Sequence, residues 1–126
     1  MRITVRFRQV VFGLAVIACS ALAGPAQATV LRVVVVETDN VSGYVAELKK
    51  GQQLMKRLGS SGQIRVWRAR FAGQDTGTVV VSVEYPSLVA LAQDDAKAAA
   101  DAEWAAWLKG LDKYRKIVSD STYDEL

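Results

Sequence analysis

The spacing of apolar residues along this chain switches between the period of a strand and the period of a helix, and the switches outline its elements. Val30-Leu31-Arg32-Val33-Val34-Val35-Val36-Glu37 is β-branched and almost continuously apolar, which predicts a strand buried on both faces. Asp39-Asn40 then offers side-chain oxygens that cap a helix. From Val41 to Leu58 the period lengthens: Val41, Tyr44, Val45, Leu48, Met55 and Leu58 fall on one stripe, with Glu47, Lys49, Lys50, Lys56 and Arg57 on the other side. Gly51 lies on the stripe and leaves room for close helix–sheet contact, and Gly59 is a C-cap candidate.

Gln63 to Phe71 and Thr76 to Tyr85 read as two strands joined by Ala72-Gly73-Gln74-Asp75, a hairpin connection. Pro86 stops the second strand, and Ser87 caps an Ala-rich helix from Leu88 to about Ala102. Trp104, Trp107, Leu108 and Leu111 continue at helical spacing, as a second helix or as the far half of a bent one. Lys116 to Tyr123 reads as a short last strand. The order β-α-β-β-α-β predicts an α+β, ferredoxin-like sandwich: an antiparallel sheet with its helices on one face.

Two registers of the hairpin are open, and a slip of one residue between them flips every side chain. The more amphipathic puts Trp67, Ala69 and Phe71 beside Val79, Val81 and Val83 under the helices. Arg68, Arg70, Ser82 and Glu84 then share the second face with Ile64, Val66 and Val80. The competing register pairs Arg65 with Glu84.

The N-terminus changes the picture of composition. Arg2, Arg6 and Arg8 precede an apolar run from Val10 to Ala23, and Gly24-Pro25-Ala26-Gln27-Ala28 follows with small residues at the cleavage positions. This is a secretory signal over residues 1–28, too short to span a bilayer comfortably, and it predicts a periplasmic or secreted domain over 29–126. Val16-Ile17-Ala18-Cys19 resembles a lipobox, so the alternative is a lipid anchor at Cys19, the one route by which the domain would meet a membrane. The whole chain carries 16 Lys+Arg against 13 Asp+Glu. Three of those cations belong to the signal, so the domain is near neutral and nothing points to nucleic acid. Cys19 is the only cysteine, so cleavage after Ala28 leaves a domain without disulfides.

The chain has no histidine. That removes a His-ligated haem, a Ser-His-Asp triad, a Cys-His pair and the usual zinc sites, and no metal or cofactor is implied. Five residues are candidates for ligand binding: Trp67 to stack on a flat ligand, Arg68 and Arg70 to meet an anion, Glu84 as a base if desolvated, and Tyr44 as a hydrogen-bond donor. Each also has a plain structural use, in core packing or in an arginine–glutamate pair. Trp104 and Trp107 read more simply as core, and Lys109, Lys113, Arg115 and Lys116 as a solvated helix face.

Ile64-Arg65-Val66-Trp67-Arg68-Ala69, Ala72-Gly73-Gln74-Asp75-Thr76-Gly77, Val83-Glu84-Tyr85-Pro86-Ser87-Leu88 and Asp101-Ala102-Glu103-Trp104, with the strand order, resemble the dimeric α/β-barrel superfamily. The likeness is to its NIPSNAP-like and antibiotic-biosynthesis-monooxygenase-like domains. It implies a homodimer that packs sheet against sheet, with cavities between sheet and helices or inside the barrel. The superfamily holds unrelated activities, so the resemblance names no reaction. The expectation is a non-catalytic dimeric protein that binds a small apolar or aromatic ligand. The alternatives are a cofactor-independent monooxygenase or isomerase using Trp67, Arg68 and Glu84, and a structural envelope-interaction module.

Overall fold

Each helix begins where a short polar side chain closes its first turn. Asn40 accepts from the Gly43 N–H at 2.9 Å, Ser87 from Ala90 at 3.1 Å and Asp101 from Trp104 at 2.9 Å. The computed structural model describes residues 28–126, so the expected secretory signal, except its last residue Ala28, and Cys19 lie outside the described residues. The elements are β1 (Val30–Glu37), α1 (Val41–Arg57), β2 (Gln63–Arg68), β3 (Val79–Tyr85), α2 (Leu88–Ala99), α3 (Ala102–Leu111) and β4 (Lys116–Asp124). A single 3-10 turn, Gly73–Asp75, lies in the β2–β3 connection. The helical stretch after Pro86 is two helices, because Asp101 leaves the helical conformation and caps the second.

The strands form one antiparallel sheet in the order β2-β3-β1-β4, and the fold is the expected α+β, ferredoxin-like one. Val30, Arg32, Val34 and Val36 of β1 share a face with Val79, Val81, Val83 and Tyr85 of β3. All three helices cover this face. The core has two parts there: Val36, Tyr44, Leu48, Val79, Val81 and Leu111, then Val30, Met55, Tyr85 and Leu91. The other face carries Leu31, Val33, Val35 and Val80 and has no helix over it, so β1 is covered on one side rather than both.

The hairpin register corrects the more amphipathic expectation. Trp67 pairs with Val80 and Arg65 with Ser82, so Ile64 and Val66 join the helix-covered face and Trp67 faces outward. The cause is local. Gly77 donates to the Ala69 carbonyl at 2.8 Å while Ala69 donates to the Thr78 carbonyl at 3.0 Å, which sets two residues against one. Gly77 holds φ 93°, a conformation that glycine adopts freely, and the result is a glycine-led bulge that shifts the ladder by one residue. Arg65 and Glu84 share the outward face, as in the competing register, although Glu84 lies directly opposite Gln63. Phe71 lies beyond the end of β2 and is fully exposed rather than core.

Gly59 ends α1 as expected, with φ 72° and its N–H on the Lys56 carbonyl at 3.0 Å. Gly51 serves a different contact from the expected one. A Cβ there would lie 2.5 Å from Cη2 and 3.0 Å from Cε2 of Trp107, so this glycine lets α3, not the sheet, approach α1. The Trp107 indole donates to the Glu47 carbonyl at 3.0 Å and locks that approach.

Candidate functional site

The helices do not fill the space above the middle of the sheet. A cavity of about 270 Å³ remains between them. Val34, Ile64, Val81 and Val83 form its floor, Leu48 and Met55 of α1 one wall, and Trp104, Trp107, Leu108 and Leu111 of α3 another. The two indoles sit 4.8 Å apart between ring centres at 46°, a tilted pair that presents ring surface to the cavity. The strands supply β-branched residues because the covered face must be apolar, and α3 supplies aromatics at i and i+3, which share one helix face.

Polar groups punctuate this lining. Arg32 is the one charged residue in the interior of β1, and it points into the cavity. It donates to both Asp120 oxygens, from Nε at 3.1 Å and Nη2 at 2.8 Å, and its Nη1 lies 3.9 Å from Asp95. These hydrogen bonds hold the Asp120 carboxyl below its ordinary range, against a smaller opposing effect of burial. Tyr85 closes the far end; burial first, then Asp95 and Asp94, push its hydroxyl up to about 12. Ser60 donates to Asp94 and accepts from the Gly62 N–H, tying the α1–β2 connection to α2.

Arg115, just before β4, reaches the cavity from the other end. Its side chain is only 10% exposed. Its Nη1 donates to the Tyr44 hydroxyl at 3.4 Å, and its Nε has no hydrogen-bond acceptor among the described residues. Asp112 is the nearest carboxylate, 3.5 Å from Nε.

The residues singled out in the sequence do not converge. Tyr44 is fully buried in the core, where its hydroxyl accepts from Arg115. Trp67 lies on the uncovered face, 52% exposed, and its indole donates to Ser82 Oγ at 2.8 Å. Glu84 is half-buried on that same face, opposite Gln63 and Leu31. Arg68 pairs with Val79 on the other face at the end of β2, and Arg70 is exposed beyond it. Among the described residues no ion pair involves Arg68, Arg70 or Glu84. Trp104 and Trp107, read as core, line the cavity, and Arg115, read as part of a solvated face, is buried against it. A signal for Arg32 was present: a lone cation inside a run of valines needs a buried counter-ion or a polar pocket.

Among solved structures, the chain is similar to a NIPSNAP family protein from Agrobacterium tumefaciens strain C58, with a TM-score of 0.57 and 17% identity over 79% of this chain and 86% of that one. At that identity the likeness is one of fold. No family model matches the chain, and no curated protein matches it.

Proposed function

We propose that this domain is an exported, non-catalytic, homodimeric protein that binds a small apolar or aromatic molecule between its sheet and its helices. The observation that carries the reading is the cavity of about 270 Å³, with aliphatic floor and wall, two tilted indoles and a few polar groups. Ligand pockets have this make-up: mostly apolar lining, with a small number of groups that fix orientation. The volume lies just below the roughly 300–1,000 Å³ usual for such pockets, which suits a small body of one or two rings.

Two further observations support the reading. Trp67 and Glu84 lie on the uncovered face and Arg68 on the covered one, so the trio that would serve a cofactor-free oxygenase or isomerase is divided between the faces of the sheet. Leu31, Val33, Val35 and Val80 form an apolar strip on the uncovered face, flanked by exposed Trp67 and Tyr123. A second copy meeting the same strip would remove it from water, and pairing of identical surfaces is the commonest form of oligomer.

Native mass spectrometry of protein purified from the envelope of its producing cells tests the reading in one measurement. The expected species is a dimer beginning at Thr29, carrying a retained small molecule or taking one up from a panel of one- and two-ring aromatics. Ala98→Trp, which puts an indole into the cavity wall, is expected to abolish uptake while the fold persists. A monomer that binds no member of the panel overturns the proposal.

A further inference from the structure

We propose that Arg115 is the anion receptor of the cavity and that the ligand is an aromatic monocarboxylate. This rests on the ligand-binding reading above and narrows it to a chemical class. A guanidinium stays charged at every accessible pH, so burying one demands acceptors. Arg32 meets that demand with two hydrogen bonds to Asp120. Arg115 does not, although it is much less exposed: its side chain is 10% exposed, against 40% for Arg32. Its Nε is buried with no acceptor among the described residues, Asp112 stands 3.5 Å from that nitrogen without a hydrogen bond, and Tyr44 takes only a long bond from Nη1. A buried cation on a cavity wall, whose ion pair with Asp112 is stretched to 3.5 Å and whose Nε lacks an acceptor among the described residues, has hydrogen-bonding capacity left for an anion.

The surroundings define that anion. The cavity that Arg115 lines is mostly apolar, with Trp107, Leu111, Val34 and Ile117 among its walls, although Asp120 of the same lining feels the Arg115 charge, so a ligand whose charged group meets the guanidinium needs an apolar body. The planar guanidinium matches a carboxylate with two parallel hydrogen bonds. Asp94, Asp95 and Asp120 also line the cavity. Their repulsion grows with ligand charge, which favours a carboxylate over a doubly charged phosphate monoester.

Calorimetric titration of the purified protein with 2-naphthoate, 2-naphthamide and 2-naphthyl phosphate separates the possibilities. The carboxylate is expected to bind about tenfold or more tightly than the amide, the effect of hydrogen bonds to a charged group. Arg115→Met is expected to erase that preference, with the carboxylate losing about tenfold or more in affinity and the amide losing less. Equal affinities of carboxylate and amide for the unaltered protein overturn the receptor assignment and leave the cavity reading standing. Failure of all three compounds to bind overturns both. A preference for carboxylate that survives in Arg115→Met removes Arg115 from the role, and tighter binding of the phosphate removes the monocarboxylate. If Arg115→Met does not fold, Arg115→Gln takes its place: loss of the carboxylate preference is expected, and a preference kept in full removes Arg115 from the role.

Discussion

Replacing Gly51 with alanine is expected to destabilise the protein, although it improves a helix. Glycine inside a helix costs about 1 kcal/mol relative to alanine, so propensity alone predicts a gain. Packing opposes it. The new methyl would lie 2.5 Å from Cη2 and 3.0 Å from Cε2 of Trp107, whereas carbon atoms in good contact stand about 3.5–4.0 Å apart. The indole must therefore retreat by about 1 Å, and it is held by its 3.0 Å bond to the Glu47 carbonyl and by Trp104 at 4.8 Å. Overpacking of this kind costs about 1–3 kcal/mol, and the lost hydrogen bond about 1 kcal/mol more. The balance is a loss of about 1–3 kcal/mol, or a fall of some 4–8 °C in Tm for each kcal/mol in a domain near 100 residues. The open side for the ring is the cavity, so the variant should also bind ligand more weakly. Thermal unfolding followed by far-ultraviolet circular dichroism measures the first effect and tryptophan fluorescence the displacement of the ring. A Tm equal to or above that of the unaltered protein would refute this account of Gly51.

Three further outcomes are expected. Asn40→Ala removes the cap of α1 and should cost about 1 kcal/mol in chemical denaturation, with Asn40→Ser largely restoring it. Tyr85 ionises near 12, above the usual tyrosine value near 10. Its protonated form is therefore favoured by folding, and the resulting stability is intact below about pH 10 and lost as pH rises through 12; Tyr85→Phe should lack the corresponding phenolate absorbance step. The Asp120 carboxyl is depressed by Arg32, so its contribution is present above the ordinary value of about 3.9 and is lost as pH falls through its lowered one. Asp120→Asn should flatten the decline of Tm on acidification, and identical slopes in the two proteins would exclude the pair as its cause.

The alternation of periods made the element order legible, because a strand must bury one side and a helix one stripe whatever surrounds them. Asn40, Ser87 and Asp101 mark the helix starts through local chemistry alone. The register of β2 was not legible. It depends on a bulge at Gly77, and a glycine in a loop does not announce which residue it will oppose. That single shift carried Trp67 to the uncovered face beside Glu84 and Arg68 to the covered one; as neighbours on one strand, Trp67 and Arg68 lie on opposite faces in either register. The cavity was illegible for a different reason. It is a space left between Leu48, Val81 and Trp107, residues far apart in the chain, and each of them alone has the pattern of core. Arg115 looked solvated beside Lys113 and Lys116; only the turn after α3 directs it inward.

The glycine-led irregularity between β2 and β3 also constrains how this chain can evolve. Gain or loss of one residue in that connection would carry Ile64 and Val66 outward and send Trp67 beneath the helices, exchanging the wettable and greasy sides of an edge strand in one step. Length changes there should therefore be tolerated in pairs of residues, and single-residue changes only where β2 has inverted its hydropathy along its whole length.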